Sequence, residues 1–122
     1  MKTLLAATLA LTVLTPAAAS ASAPACDVSV QFGSYAMGID GRAFDKVQRY
    51  AARHPRLIRT SSVTSWGREG EKTVCLSTIN GRRGANIAFR DIKGLIGKGQ
   101  RGPVEVRTLD GRVWRSNPGI PR

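Results

Sequence analysis

Four cations carry the clearest chemical pattern in this chain. Arg42, Lys46, Arg49 and Arg53 recur every three or four positions, the spacing that brings side chains to one face of an α-helix. Guanidinium and ammonium groups arrayed in this way hold carboxylate or phosphate groups. Like charges on neighbouring turns also repel, by roughly a few tenths of a kcal/mol per close pair. Only Asp40 and Asp45 lie close enough in sequence to offset that repulsion. The four cations are therefore the expected binding residues for an anionic partner. The competing reading is a solvated helix face whose long stems cover apolar surface.

Other constellations fail on their own chemistry. Gly33 to Gly38 (GSYAMG) opens towards a helix as a phosphate-cradling loop does, but the Lys and Ser or Thr that such a loop needs are replaced by Ile39 and Asp40. A carboxylate at a helix start also repels phosphate from the positive end of the dipole. His54 is the only histidine, too few for a zinc site and without a defined triad partner. Its place before Pro55 fits a helix C-terminal cap. Glu69 and Glu71 flank Gly70 between Arg68 and Lys72, an ordinary charged turn rather than an acid–base pair. No catalytic residue, cofactor or metal is expected, and the protein is read as a non-catalytic binding module.

The rest of the chain says where such a module works. Lys2, an apolar run from Leu4 to Leu14, the break at Pro16 and a small-residue stretch up to Ala25 form a secretory signal peptide. The run is too short for a transmembrane helix, which needs about 20 residues. Residues 1–25 are thus expected to be cleaved, with the cut at Ala21 or Ala25, and the protein to be periplasmic or secreted. Their removal takes only Lys2 from the 19 basic residues and leaves the 8 acidic ones, a formal charge of +10. Such a charge attracts polyanions. An acidic protein or the anionic envelope surface is the expected partner. Nucleic acid is set aside, since an exported protein meets little of it. An oxidising compartment makes Cys26 and Cys75 a disulfide pair, stabilising by about 4 kcal/mol if it closes a loop of about 50 residues. Lipidation of Cys26 is the alternative, although Ala23 stands where such signals carry a large aliphatic residue.

These features need elements to position them. Asp27 to Phe32 alternates apolar and polar residues as a half-buried strand does. Gly41 to His54 is an amphipathic helix capped by Asp40, with Ala43, Phe44, Val47, Tyr50 and Ala51 on its inner face and Pro55 ending it. Leu57 to Trp66 is a weaker, edge-lying strand and Lys72 to Ile79 a stronger one. Arg83 to Ile96 is a second amphipathic helix, with Ala85, Ala88, Phe89, Ile92, Leu95 and Ile96 facing inward. Pro103 to Leu109, the Asp110-Gly111 turn and Arg112 to Ser116 form a hairpin.

The order βαββαβ plus a hairpin strand is the ferredoxin-like α+β arrangement, an antiparallel sheet with two helices on one face. Residues 26–116 form the domain and 117–122 a loose tail. The first and third strands, which carry the two cysteines, are neighbours in that topology. A second functional reading is an assembly protein that pairs through the C-terminal hairpin, where Leu109, Val113 and Trp114 lie near an edge. A hydrolase is the remotest reading, with no residue set behind it.

Overall fold

The computed structural model of the protein describes residues 26–97 and 101–116, together with Ala10. The expected leader (1–25, Ala10 apart) and tail (117–122) lie outside the described residues. The elements are β1 (Val28–Phe32), α1 (Gly41–Arg53), β2 (Ile58–Trp66), β3 (Glu71–Thr78), α2 (Gly81–Ile96), β4 (Val104–Thr108) and β5 (Val113–Arg115). The five strands form one antiparallel sheet in the order β2-β3-β1-β4-β5. The α+β architecture is the one expected, with β5 added outside β4.

Alternation along the strands sorts the sheet into two unlike faces. Val28, Val30 and Phe32 of β1, Val74 and Leu76 of β3, and Val104 and Val106 of β4 all point to the helix side and are 0–2% exposed. Each buried side chain of this size contributes about 1.5–3 kcal/mol. The helices supply the other half of the core through Ala43, Val47, Tyr50 and Ala51 of α1 and Ala85, Ala88, Phe89, Ile92 and Ile96 of α2. These are inner-face residues of the sequence pattern, with Phe44 and Leu95 partly buried beside them. Phe44 meets Phe32 edge to face at 5.4 Å. The opposite sheet face carries Ser29, Gln31, Thr73, Cys75, Ser77, Glu105 and Arg107 and packs under neither of the described helices.

Polar ties fix the ends of these elements. Asp40 is buried, and its carboxylate accepts from Ala43 N at 3.1 Å and from Arg101 N at 3.1 Å. It thus caps α1 and anchors the segment leading into β4. Asp27 accepts from Thr78 N at 2.7 Å, tying the start of β1 to the end of β3. α2 begins at Gly81, two residues before the position expected from periodicity, after Asn80 in the left-handed region (φ 68). Gly84 makes this early start fit, because a Cβ there would lie 2.1 Å from Ile79 O.

Cys26 and Cys75 form a disulfide, with Cα atoms 5.2 Å apart. The β1–β3 register pairs Val28 with Leu76, so continued extension would set Cys26 opposite Thr78. The chain instead bends at Asp27, which brings Cys26 back to Cys75 on the open sheet face.

Two stability outcomes follow from this packing. Replacing Cys26 and Cys75 together by Ser lowers the unfolding free energy by about 4 kcal/mol in urea titrations, and the unreduced wild-type protein, unfolded in guanidinium, titrates no thiol. Gly84→Ala destabilises by about 1–3 kcal/mol, because helix backbone must move away from Ile79 O. A neutral or stabilising effect in the same titrations would refute the close approach.

Candidate anion-binding surface

The cap at Asp40 sets the phase of α1. With Ala43, Val47, Tyr50 and Ala51 turned into the core, Arg42, Lys46, Arg49 and Arg53 come out on the solvent side, and all four are exposed. Among the described residues none of the four forms an ion pair or sits over an aromatic ring. The one polar contact in the row is Arg49 Nε donating to Asp45 O at 3.4 Å. Lys46, Arg49 and Arg53 gather round a shallow hollow of about 180 Å³ that Tyr50, His54 and Leu95 complete. Arg42 lies outside this hollow, at the first turn of the helix.

The floor of the hollow is held by α2. Tyr50 Oη donates to Asp91 Oδ2 at 2.7 Å. Burial, reinforced by this bond to a carboxylate, holds the Tyr50 phenol well above its ordinary pKa. His54 stacks on Tyr50 with ring centroids 4.2 Å apart, and its Nδ1 lies 2.8 Å from Tyr50 O. A carbonyl can only accept, so Nδ1 carries the proton in this contact. The imidazole thus caps the last turn, as the sequence pattern implied. A second, wider hollow of about 530 Å³ adjoins this one, lined by Arg53, His54, Pro55, Arg56, Leu57 and Ile87. Arg56 joins the cationic surface there. It falls beyond the helix, so helical spacing could not assign it to the same face.

Five carboxylates are committed elsewhere, while Asp45 stands exposed on α1 itself. Asp40 and Asp27 hold backbone amides, and Asp91 holds Tyr50. Asp110 accepts from Thr108 Oγ1 and meets Arg82 at 3.6 Å and Arg112 at 3.7 Å. The Thr108 hydroxyl, with Arg112 and Arg82 beside it, keeps this carboxyl below its usual range. On the open sheet face Glu105 accepts from Arg115 Nε at 2.8 Å and from Arg107 Nε. These hydrogen bonds, Arg115 first, depress its pKa.

Glu105 and Arg115 also line a bowl of about 290 Å³ at one end of the open face, together with Gln31, Tyr35 and Trp66. Trp66 Nε1 donates to Thr73 Oγ1 at 3.0 Å, which holds the indole against the sheet. The bowl has no linear signal, since its residues come from separate elements. A further hollow of about 320 Å³ at the start of α2 is lined by Asp27 and Asp110 as well as Arg82, an unfavourable surround for an anion.

Among the described residues no group of three His, Cys, Asp or Glu side chains is placed to hold a metal ion. No described helix is long and apolar enough to cross a membrane. The chain matches no protein-family model, no curated protein sequence and no solved structure.

The Glu105 clamp has a pH signature. A carboxyl whose folded pKa is depressed adds stability that is fully present above its unfolded pKa of about 4.3 and is lost as pH falls through the folded value. Glu105→Gln therefore lowers stability at neutral pH and narrows its gap to wild type as the pH is taken down to about 2. Urea midpoints across that range provide the measurement, and a constant gap would exclude the clamp.

Proposed function

We propose that this protein is a small exported, non-catalytic module that docks an anionic partner through Arg42, Lys46, Arg49 and Arg53, with Arg56 extending the surface. The observation that carries the reading is the absence of any ion pair at the four cations among the described residues, in a chain that has few carboxylates and uses most of them elsewhere. A helix face that only needed solvation would be served as well by mixed charges, which repel less. The disulfide agrees with an oxidising compartment, and the signal-peptide pattern of the sequence supports the periplasm or the cell exterior as that compartment.

Two sources of anion share the required chemistry, an acidic protein and the phosphate-bearing envelope surface. The protein is the better fit. Helices that bind membranes bury an apolar face in the lipid boundary, and the apolar face of α1 is already spent on the core. What it offers outward is charge alone.

Retention on heparin and on anionic vesicles, read as the salt concentration needed for release, tests the surface. The variant carrying Arg42→Gln, Lys46→Gln, Arg49→Gln and Arg53→Gln should release at clearly lower salt than a control with Arg68, Arg83, Arg90 and Arg101 changed to Gln, although both lose equal charge. Identical release of the two variants would show that only net charge matters and would remove the proposal.

A further inference from the structure

We infer that the free edge of β2 accepts an added strand, and that the occupant is an extended segment of an acidic partner protein. This rests on the anion-docking reading and adds where the partner's backbone lies.

β2 ends the sheet. It pairs with β3 on one side, and among the described residues no strand pairs with its other side. An edge of this kind presents a row of backbone donors and acceptors ready to pair. Proteins blunt such edges with charged residues, proline, bulges or short length. The β2 segment Thr60 to Trp66 (TSSVTSW) has no charged residue and no proline. Its one register irregularity lies between Ile58 and Thr60, so 60–66 runs in unbroken register with β3. The other edge of the sheet is managed differently. β5 is three residues long, Arg115 lies within it, and Trp114 is partly buried against the core, which removes the indole from the hairpin edge.

The side chains of β2 also lack neighbours that an added strand would supply. Val63, opposite Val74 on the helix side, is 41% exposed, and Trp66 on the other face is 39% exposed. A paired strand sets one residue directly beside each, on both faces of the sheet. Backbone pairing would thus be joined by apolar cover at two points.

Charge selects the occupant. Arg53, Arg56 and Arg59 cluster in sequence at the start of β2, are exposed, and make no ion pair among the described residues. At the far end Arg68 and Lys72 are balanced by Glu69 and Glu71. An incoming strand is therefore drawn by carboxylates at its end nearest Arg59, followed by a short β-forming stretch. A second copy of this chain is disfavoured, since each copy carries a charge of about +10 and like-charged domains repel.

The test uses a blocked peptide, Thr-Val-Thr-Val-Thr-Val-Glu-Glu-Glu, whose antiparallel addition sets its carboxylates nearest Arg59, followed by amide chemical shifts of the ¹⁵N-labelled protein. The comparison peptide carries N-methyl groups at consecutive amides throughout its Thr-Val stretch, which keep its charge and abolish backbone pairing along both of its edges. Ser61→Pro and Ser62→Pro serve as protein variants. Amides along an antiparallel edge alternate between the partner strand and solvent, so one of the two prolines removes an outward donor and leaves the β3 ladder intact. That variant is identified by unchanged thermal melting; if neither qualifies, the N-methylated peptide decides alone. Supporting results are shifts centred on 60–66 and about tenfold weaker binding, close to 1.4 kcal/mol, for the N-methylated peptide or the well-folded proline variant. Equal binding of the two peptides, with shifts confined to α1, would overturn strand addition while leaving anion docking in place. Shifts at 60–66 that depend on protein concentration without peptide would overturn it in favour of self-pairing. No binding of either peptide, with heparin release also insensitive to the α1 substitutions, would overturn both readings.

Discussion

Two helices can cover one face of a five-stranded sheet and no more, and this coverage limit shapes the molecule. Strand alternation sends Val28, Val30, Phe32, Val74, Leu76, Val104 and Val106 to the covered side, where packing against α1 and α2 removes them from water. The same alternation sends Ser29, Gln31, Thr73 and Glu105 to the side that stays wet. Coverage also runs out laterally. From β2 only Ile58 reaches the core, and its remaining residues are exposed. The open face, the exposed β2 edge and the outward side of α1 all follow from how far the helix layer reaches.

Charge is distributed by a second limit, the small number of carboxylates. Buried or half-buried polar backbone has to find partners, and the acids near element ends supply them: Asp40 for the first turn of α1, Asp27 for the end of β3, Asp91 for the phenol that joins the helices. Glu105 and Asp110 each gather two arginines. Most acids thus serve the fold or a local clamp, and among the described residues the cations of α1 form no ion pair. The positive surface is therefore a product of where the acids are needed as much as of net charge. Arginines outside that surface are less available, as with Arg112, which lies 4.9 Å from the Phe89 ring centroid.

Much of this was legible in order along the chain. Alternation at Val28, Val30 and Phe32 fixed which side of that strand is buried, because strand geometry has a period of two. Helical spacing did the same for Val47 and Tyr50 against Arg49 and Arg53. Asp40 announced its cap, and the Asp110-Gly111 turn its hairpin. Boundaries were less legible where contacts from distant residues set them. α2 starts at Gly81 because Gly84 can lie against Ile79 O, a contact that helical periodicity does not encode. Residues gathered from separate elements were the least legible. Arg56 round one hollow with Arg53, and Gln31, Tyr35, Trp66 and Arg115 round one bowl, depend on how strands and loops are stacked. Asp91 under Tyr50 lies 41 positions away in sequence, and only the packing of α1 on α2 unites them.

The sequence by itself determined the periodic properties of the protein: the element order, the inward faces of both helices, the basic row on α1 and the two cysteines able to cross-link. Each arises from local geometry, where a repeat of two or of 3.6 residues decides which way a side chain points. Tertiary structure alone decided which cations stay unpaired, which sheet edge is left long and unguarded, and that Trp114 turns to the core while Trp66 stays partly in solvent. Those outcomes depend on sequence-distant neighbours competing for the same partners and the same cover, and no local repeat carries that information.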